Sequence, residues 1–407
     1  MLKTNIDDLG ILYAAELKKS VNEHSGCSVS FYIKEQNDNY YAKYSKYVGE
    51  TLEVENTERL IFVGIITNVK ISKAFAALIV TVEASSKSIE CDKNKKSRIF
   101  QLTEKTYKDI LKNIEEGNKH YQIGSDFSEK KAVNTVIQNN ETDFSFLKKL
   151  AKKLDLKVFV NDTNKNDITI CIDENLNSKE QSIAEENVIT IDYEISEASE
   201  MINCQTNSFI DLGTTVDYRG FSYVVEKVDV KKNNDIEEYH YAFRRRLLKD
   251  KKEEFSNEIV PLGRGKVVNN DDPEKLGRIQ VEYLDFEDSL DGNREWISYI
   301  NTFTDKNEGI VLIPGQDEIV ECIYVKGKCI AIGCNREVKY GKKCENANAR
   351  VIASNGVLVE LLNDRLKIKN KAFEILVDEE KFNVKGKAEL DISNGNITLS
   401  AKRVDVK

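Results

Sequence analysis

Residues 265–286, GKVVNNDDPEKLGRIQVEYLDF, continue through 294–303, REWISYINTF, to 309–335, GIVLIPGQDEIVECIYVKGKCIAIGCN. Arg278 to Tyr283 alternates polar and apolar side chains, as a strand with one buried and one wet face does. Asp271-Asp272-Pro273 before it and Asp291-Gly292-Asn293 after it are turn formers. Trp296 to Ile300 predicts a second strand. Ile310 to Ile313 and Ile319 to Val325 predict two more, divided by Pro314-Gly315. Lys326-Gly327-Lys328 breaks the pattern before a fifth short run, Cys329 to Ile332. Five short strands in this span predict a small Greek-key barrel of the OB type.

The order of these pieces resembles the OB domain of VgrG-type and phage central-spike proteins. The residues that carry the resemblance are Asp272-Pro273-Glu274, Leu276 to Val281 with Gly277, Trp296, Pro314, Gly315, Asp317 to Val320, and Ile332-Gly333. Two departures stand at turns. Gln316 occupies a place where the family usually has Gly, and Cys329 one where it usually has Pro.

Working outward, 407 residues predict about three domains at roughly 150 residues each. The 60 Lys and Arg are outnumbered by 69 Asp and Glu, a net charge of −9, which argues against a nucleic-acid partner because such binding needs a cationic surface. No stretch reaches the ~20 apolar residues of a membrane helix. Acids in MLKTNIDDLG stand where a signal peptide has a basic region, so assembly in the bacterial cytoplasm without a signal peptide is expected. The eight cysteines include no C-x-x-C pair. Reduced thiols are therefore expected, with no metal site; Cys322, Cys329, Cys334 and Cys344 are too irregularly spaced for a zinc cluster.

The chain divides on pattern into 1–100, a first β-barrel-like domain; 101–255, an α+β domain; 256–340, the OB domain; and 345–407, a run of short strands. The fold class is mainly β with a few helices. Leu60 to Ile66 and Ala77 to Val82 are strong strand runs, and Tyr40 to Tyr44 suggests another. The charge run from Lys87 to Arg98 reads as a solvated segment. Thr103 is placed to cap a helix ending at Gly117. A second helix begins near Thr142, with Phe144, Phe146, Leu147, Leu150, Ala151 and Leu154 on one face and four lysines on the other. It leads into a Leu156 to Val160 strand. This Glu141 to Val160 pattern is the second point of resemblance to spike hubs. Lys249 to Glu254 reads as a charged linker.

Beyond Val351, apolar pairs recur every seven to nine residues: Leu366/Ile368, Ile375/Val377, Phe382/Val384, Leu390/Ile392, Ile397/Leu399 and Val404/Val406. Such short strands do not bury their apolar sides within one chain, so stacked or intertwined rungs are expected. In the resembled family this region is a three-chain β-helix needle below the OB domain; a single-chain hairpin stack is the alternative.

Nothing predicts catalysis. The three histidines, His24, His120 and His240, sit in polar surroundings on separate segments, no G-x-S-x-G or phosphate loop occurs, and no cofactor is expected. About 15 residues between Asn335 and Val351 are too few for an inserted lysozyme domain. The resemblance implies a homotrimeric structural spike and baseplate hub of a contractile injection particle: a phage tail, a phage-tail-like bacteriocin or a type VI-like device. Its partners would be tail tube and baseplate proteins, transiently a target envelope, and a separate PAAR-type cap seated on Val404 and Val406. No histidine follows His240 to build a metal-bound tip. The rival reading is an OB-fold protein that binds oligosaccharide or single-stranded nucleic acid, for which the surround of Trp296, Tyr283 and Tyr299 is acidic.

Overall fold

The computed structural model describes residues 2–33, 43–74, 77–101, 106–118, 121–124, 135–173, 177–197, 199–246, 259–288, 294–300, 303–304, 309–310, 312–334, 350–354, 356–362, 364–393 and 395–402. The chain forms two compact units, Met1–Asn335 and Arg336–Lys407.

The first unit is organised by one twelve-stranded sheet. Its N-terminal half runs Thr51–Glu55, Leu60–Ala74, Ala77–Ser86, Gly26–Ile33 and Ile11–Ser20 in hydrogen-bonded order. The Ile11–Ser20 strand then pairs antiparallel with Phe221–Asn233, with Lys19 opposite Val228. Ile236–Arg246, Ser199–Thr206 and Val188–Ile195 follow. Alternation decides which side is buried: Leu17, Val29, Phe31, Val80 and Val82 share one core with Ile202, Val225, Val228 and Val230. A boundary at residue 100 therefore cuts through one sheet and one core. The pairing across 200 residues carries no local signal, which is why composition divides the chain there.

Residues between these halves build an α/β insert. Helix α1 (Tyr107–Glu116) and helix α2 (Asp143–Lys153) pack on a three-stranded sheet of Lys157–Asn161, Ile168–Asp173 and Tyr121–Gly124. Helix α1 begins at Tyr107, with the Asp109 carboxylate accepting from both the backbone N–H and the hydroxyl of Thr106 at 2.8 and 2.9 Å. The expected cap, Thr103, lies outside the described residues. Helix α2 begins where expected, and Thr142 caps it, accepting from the Ser145 N–H at 3.2 Å. Phe144, Phe146, Leu147, Leu150 and Ala151 of α2 are buried. The charge run is not simply solvated: it contains the strand Lys95–Phe100 and buries Ser88, Cys91 and Arg98. Tyr44 begins no strand but precedes a single helical turn, Ser45–Tyr47; Tyr40 to Ala42 and the Lys249 to Glu254 linker lie outside the described residues.

The OB domain is a five-stranded sheet in the order Gln280–Tyr283, Ile259–Asn269, Ile319–Val325, Lys328–Cys334, Ser298–Tyr299. The strand Ile259–Asn269, second in this order, is absent from the five-strand count made on sequence. Pro261, Gly263 and Gly265 disguise it, and the ladder shifts register between Pro261 and Gly263, where Gly263 takes a left-handed φ of 67°. The expected Ile310 strand pairs instead with Phe303–Thr304 in a separate two-stranded ladder.

The second unit is an antiparallel meander of seven strands, from Arg350–Ser354 to Asn396–Ser400, each paired with its neighbour in sequence. Cross-strand register stacks Val359, Ile368, Ile375, Val384, Leu390 and Leu399 into one column. Leu361, Leu366, Val377, Phe382, Ile392 and Ile397 form a second column on the same face. The opposite face carries Glu360, Lys367, Leu376, Asn383, Asp391 and Thr398 in register. Val404 and Val406 lie outside the described residues.

Candidate assembly site

Four arrangements of side chains decide what this protein can do, and three of them hold the first unit together. Lys19, on the strand that joins the two halves of the large sheet, is completely buried. Its Nζ donates to Asp162 at 2.6 Å and to Asp211 at 3.0 Å. Asp162 follows the insert strand Lys157–Asn161 and Asp211 comes from the second half, so one ammonium ties three separate segments. Burial pushes the Asp162 carboxyl above its ordinary value, against the pull of Lys19. Lys19 and Arg59 both lie over the Phe209 ring, 5.6 and 5.2 Å from its centroid. Nothing in the sequence around Lys19 distinguishes it from the exposed Lys18 beside it. Only the alternation of the strand, which turns Leu17 and Lys19 to the same side, hints that it faces inward.

The second arrangement joins the insert to the OB domain. Arg98 donates to Gln138 at 3.0 Å and to Asp143 at 2.7 Å, and Asp143 accepts further from Lys96, Gln138 and Asn118. Burial raises the Asp143 carboxyl, but these donors outweigh it and hold it below its ordinary value. Next to Arg98, Ile99 enters the OB core together with Ile137, and Glu287–Asp288 pairs parallel to Arg98 and Ile99. The OB barrel thus completes its core with hub residues. At the rim of this seam the Thr135 hydroxyl donates to Glu295 at 2.6 Å and Tyr324 donates to the Thr135 carbonyl at 3.1 Å. The Glu295 N–H donates to Gln101 at 3.1 Å.

The third arrangement is the motif Asp272 to Arg278. The Asp272 carboxylate accepts the Nε and Nη2 of Arg278 at 3.0 and 2.8 Å and the backbone N–H groups of Glu274, Leu276 and Arg278. The Arg278 guanidinium first, and these amides with it, hold the carboxyl far below the usual range. Gly277 takes a left-handed φ of 73°, which closes the loop. Pro273 is exposed at the loop's start. Trp296, half-buried, precedes Ile297, which exchanges backbone hydrogen bonds with Ile279. Pro314 is buried and its carbonyl accepts from Asn270, while Gly315 donates its N–H to Glu318. Asp317 has a left-handed φ of 67° and donates its N–H to Val267; Gly333 lies opposite Glu321 on the last strand. These motif residues shape loops and close a barrel. They do not converge on a pocket.

The fourth arrangement is the apolar face of the second unit. Leu366, Ile368, Ile375 and Leu390 are half-buried, and Ile397 remains 69% exposed. Both columns lack a covering layer within the unit's described residues.

A Ser–His–Asp alignment also exists. His24 Nδ1 lies 2.7 Å from Ser88 Oγ and Nε2 lies 2.9 Å from Asp92, and the ring packs against Phe144 with centroids 3.9 Å apart and planes tilted by 30°. So His24 is not simply in polar surroundings. Ser88 is buried and Asp92 is the more open end, the reverse of what an accessible nucleophile needs. His240 lines a polar hollow of about 170 Å³ with Asp192 and Asp229; His120 lies outside the described residues. Cys27, Cys91, Cys204, Cys322, Cys329 and Cys334 are free thiols, and among the described residues no cluster of His, Cys, Asp or Glu could hold a metal. Among the described residues no helix is long and apolar enough to cross a membrane.

The fold, a β hub carrying an OB barrel and followed in sequence by a separate antiparallel β unit, is similar to that of solved type VI secretion and VgrG chains. Residues 263–331 match the family model described as the type VI secretion system/phage-baseplate injector OB domain. The E. coli c3393 protein, described as a component of the type VI secretion system with structural similarity to T4 bacteriophage tail proteins gp27 and gp5, superposes with a TM-score of 0.57. The identity is 13%, over 82% of this chain and 100% of that one. A chain of the half-lidded Francisella PdpA–VgrG complex superposes with a TM-score of 0.56 at 10% identity, over 96% of this chain and 83% of that one. No curated protein matches by sequence.

Proposed function

We propose that this chain is the structural central spike and baseplate hub of a contractile injection particle, acting as a homotrimer whose C-terminal units pack into a needle. The observation that carries the reading is the pair of uncovered apolar columns in the second unit. A continuous apolar face of this length is what an association surface looks like, and threefold packing would give it the core that one chain cannot. The hub offers complementary support: its cross-links tie distant segments of the first unit together, as a part that transmits force requires. Its partners would be tail tube and baseplate proteins, a target envelope in passing, and a PAAR-type cap at the C-terminus.

The role is mechanical and not catalytic in this reading, because the motif residues are spent on loop closure and Ser88 is inaccessible. The test is mass in solution. Particles of three 46.4 kDa chains are expected, and the double substitution Ile375→Asp with Leu390→Asp should convert them to monomers. A wild-type chain that stays monomeric would overturn the reading.

A further inference from the structure

The turns of the C-terminal meander sort by charge. Each strand pairs only with its neighbour in sequence, so successive turns lie at alternate lateral edges of the sheet. One edge carries the turns after Arg365–Lys369 and Lys381–Lys385 and the end of Asn396–Ser400. Its charges are Lys369, Lys371, Lys385, Lys387 and Lys402, set against Glu374 and Glu389. The other edge carries the turns after Val357–Leu362, Glu374–Asp378 and Glu389–Ser393. There Asp364, Asp378, Glu379 and Glu380 stand against Arg365 and Lys381. The sheet therefore has a basic edge and an acidic edge, whereas a surface charged only for solubility intersperses the two signs. Both edges have fixed turns. On the basic side Asn370 accepts from the N–H groups of Ala372 and Phe373 at 2.7 and 2.8 Å. A Cβ at Gly386 would come within 3.3 Å of the Ala372 carbonyl, so the two basic turns pack on each other. On the acidic side Asp378 accepts from the N–H groups of Glu380 and Lys381 at 3.0 and 2.8 Å. Among the described residues the meander's ion pairs run from Lys367 and Lys369 to Glu374. Lys371, Lys387, Glu379 and Glu380 are exposed and take no part in them.

We propose that these edges are the seam between copies of this chain, the basic edge of one meander docking on the acidic edge of the next. The inference rests on the trimer reading and adds to it the residues of the seam and the direction of packing. The apolar columns need a cover, but a face of leucine, isoleucine and valine does not by itself choose between parallel and antiparallel neighbours. The edges do choose. When copies are related by an axis along the stack of strands, every basic edge meets an acidic one. When one copy is turned end over end, like edges meet and repel. Adjacent strands lie ~4.8 Å apart. At equal height the Glu379-Glu380 turn of one copy therefore falls midway between the levels of Lys371 and Lys387 in the next. Exposed pairs of this kind add little affinity each, and act instead on encounter and on which partner orientation is accepted.

The test reverses one edge at a time in the full-length protein and reads mass by sedimentation. Lys371→Glu with Lys387→Glu makes both edges acidic, and Glu379→Lys with Glu380→Lys makes both basic. Each double variant should raise the concentration at which trimers dissociate by about tenfold at about 0.05 M salt. The effect should shrink at about 1 M salt, where the screening length falls to ~3 Å. A chain carrying all four substitutions has its edges exchanged and should regain wild-type assembly, which also excludes a folding failure in the doubles. Wild-type trimers that neither double variant weakens would overturn the edge pairing and leave the trimer reading standing. A fourfold variant that stays as weak as the doubles would do the same. Wild-type chains that remain monomeric would remove both.

Discussion

The two units of this protein bury their apolar residues in opposite ways. Met1–Asn335 closes its cores within one chain, and it does so by long-range pairing: Lys19 meets Asp162 and Asp211, and Ile99 enters the OB core. In the C-terminal meander every strand pairs only with its sequence neighbour, and the two apolar columns it creates stay half-buried or exposed. Local pairing is quick to form and easy to repeat, but a single sheet has only one layer and so no core of its own. The difference teaches where each unit's stability comes from: intramolecular contacts in the first and, on the proposed function, packing against other chains in the second.

The comparison can be broken most decisively at the C-terminus. Truncation after Asn335 should abolish trimer formation in analytical ultracentrifugation while leaving a cooperative unfolding transition for the remainder. A truncated chain that stays trimeric would place the association surface in the hub. The next largest effect belongs to the hub. Lys19→Ala strands two carboxylates in a buried site and should cost about 3–5 kcal/mol in denaturant unfolding of the hub, with the meander's association unaffected. A loss below 1 kcal/mol would mean that water reaches the site.

Acid provides a finer probe of the same contrast. The depressed pKa of Asp143 means its contribution is present above the unfolded carboxylate value and is lost as pH falls through the folded one. Hub stability should therefore decline below about pH 4, and Asp143→Asn should remove part of that slope; an identical pH profile in the variant would refute the role given to the network. The smallest effect is expected at Thr142. Thr142→Ala should cost about 1 kcal/mol by removing the cap of α2, read by urea denaturation, and should leave the oligomeric state unchanged.

Much of this was readable in the sequence because its causes are local. Turn residues, alternation and helical spacing placed α2, most OB strands and the five described apolar pairs of the meander, since those patterns follow from backbone geometry a few residues at a time. The motif Asp272 to Arg278 was visible as well, because its acceptor, its glycine and its arginine lie within seven residues. What sequence could not supply was the OB strand Ile259–Asn269, masked by proline and glycines, and the buried charges. Lys19 and Arg98 look like any surface residues in a chain that is 32% charged. Their roles depend on partners 40 to 200 positions away, and the desolvation that makes those partners matter exists only once the tertiary structure has excluded water. The sequence by itself determined which segments could be strands and which faces were apolar; the fold alone decided which charges would be buried, against what, and which apolar face would be left without a cover.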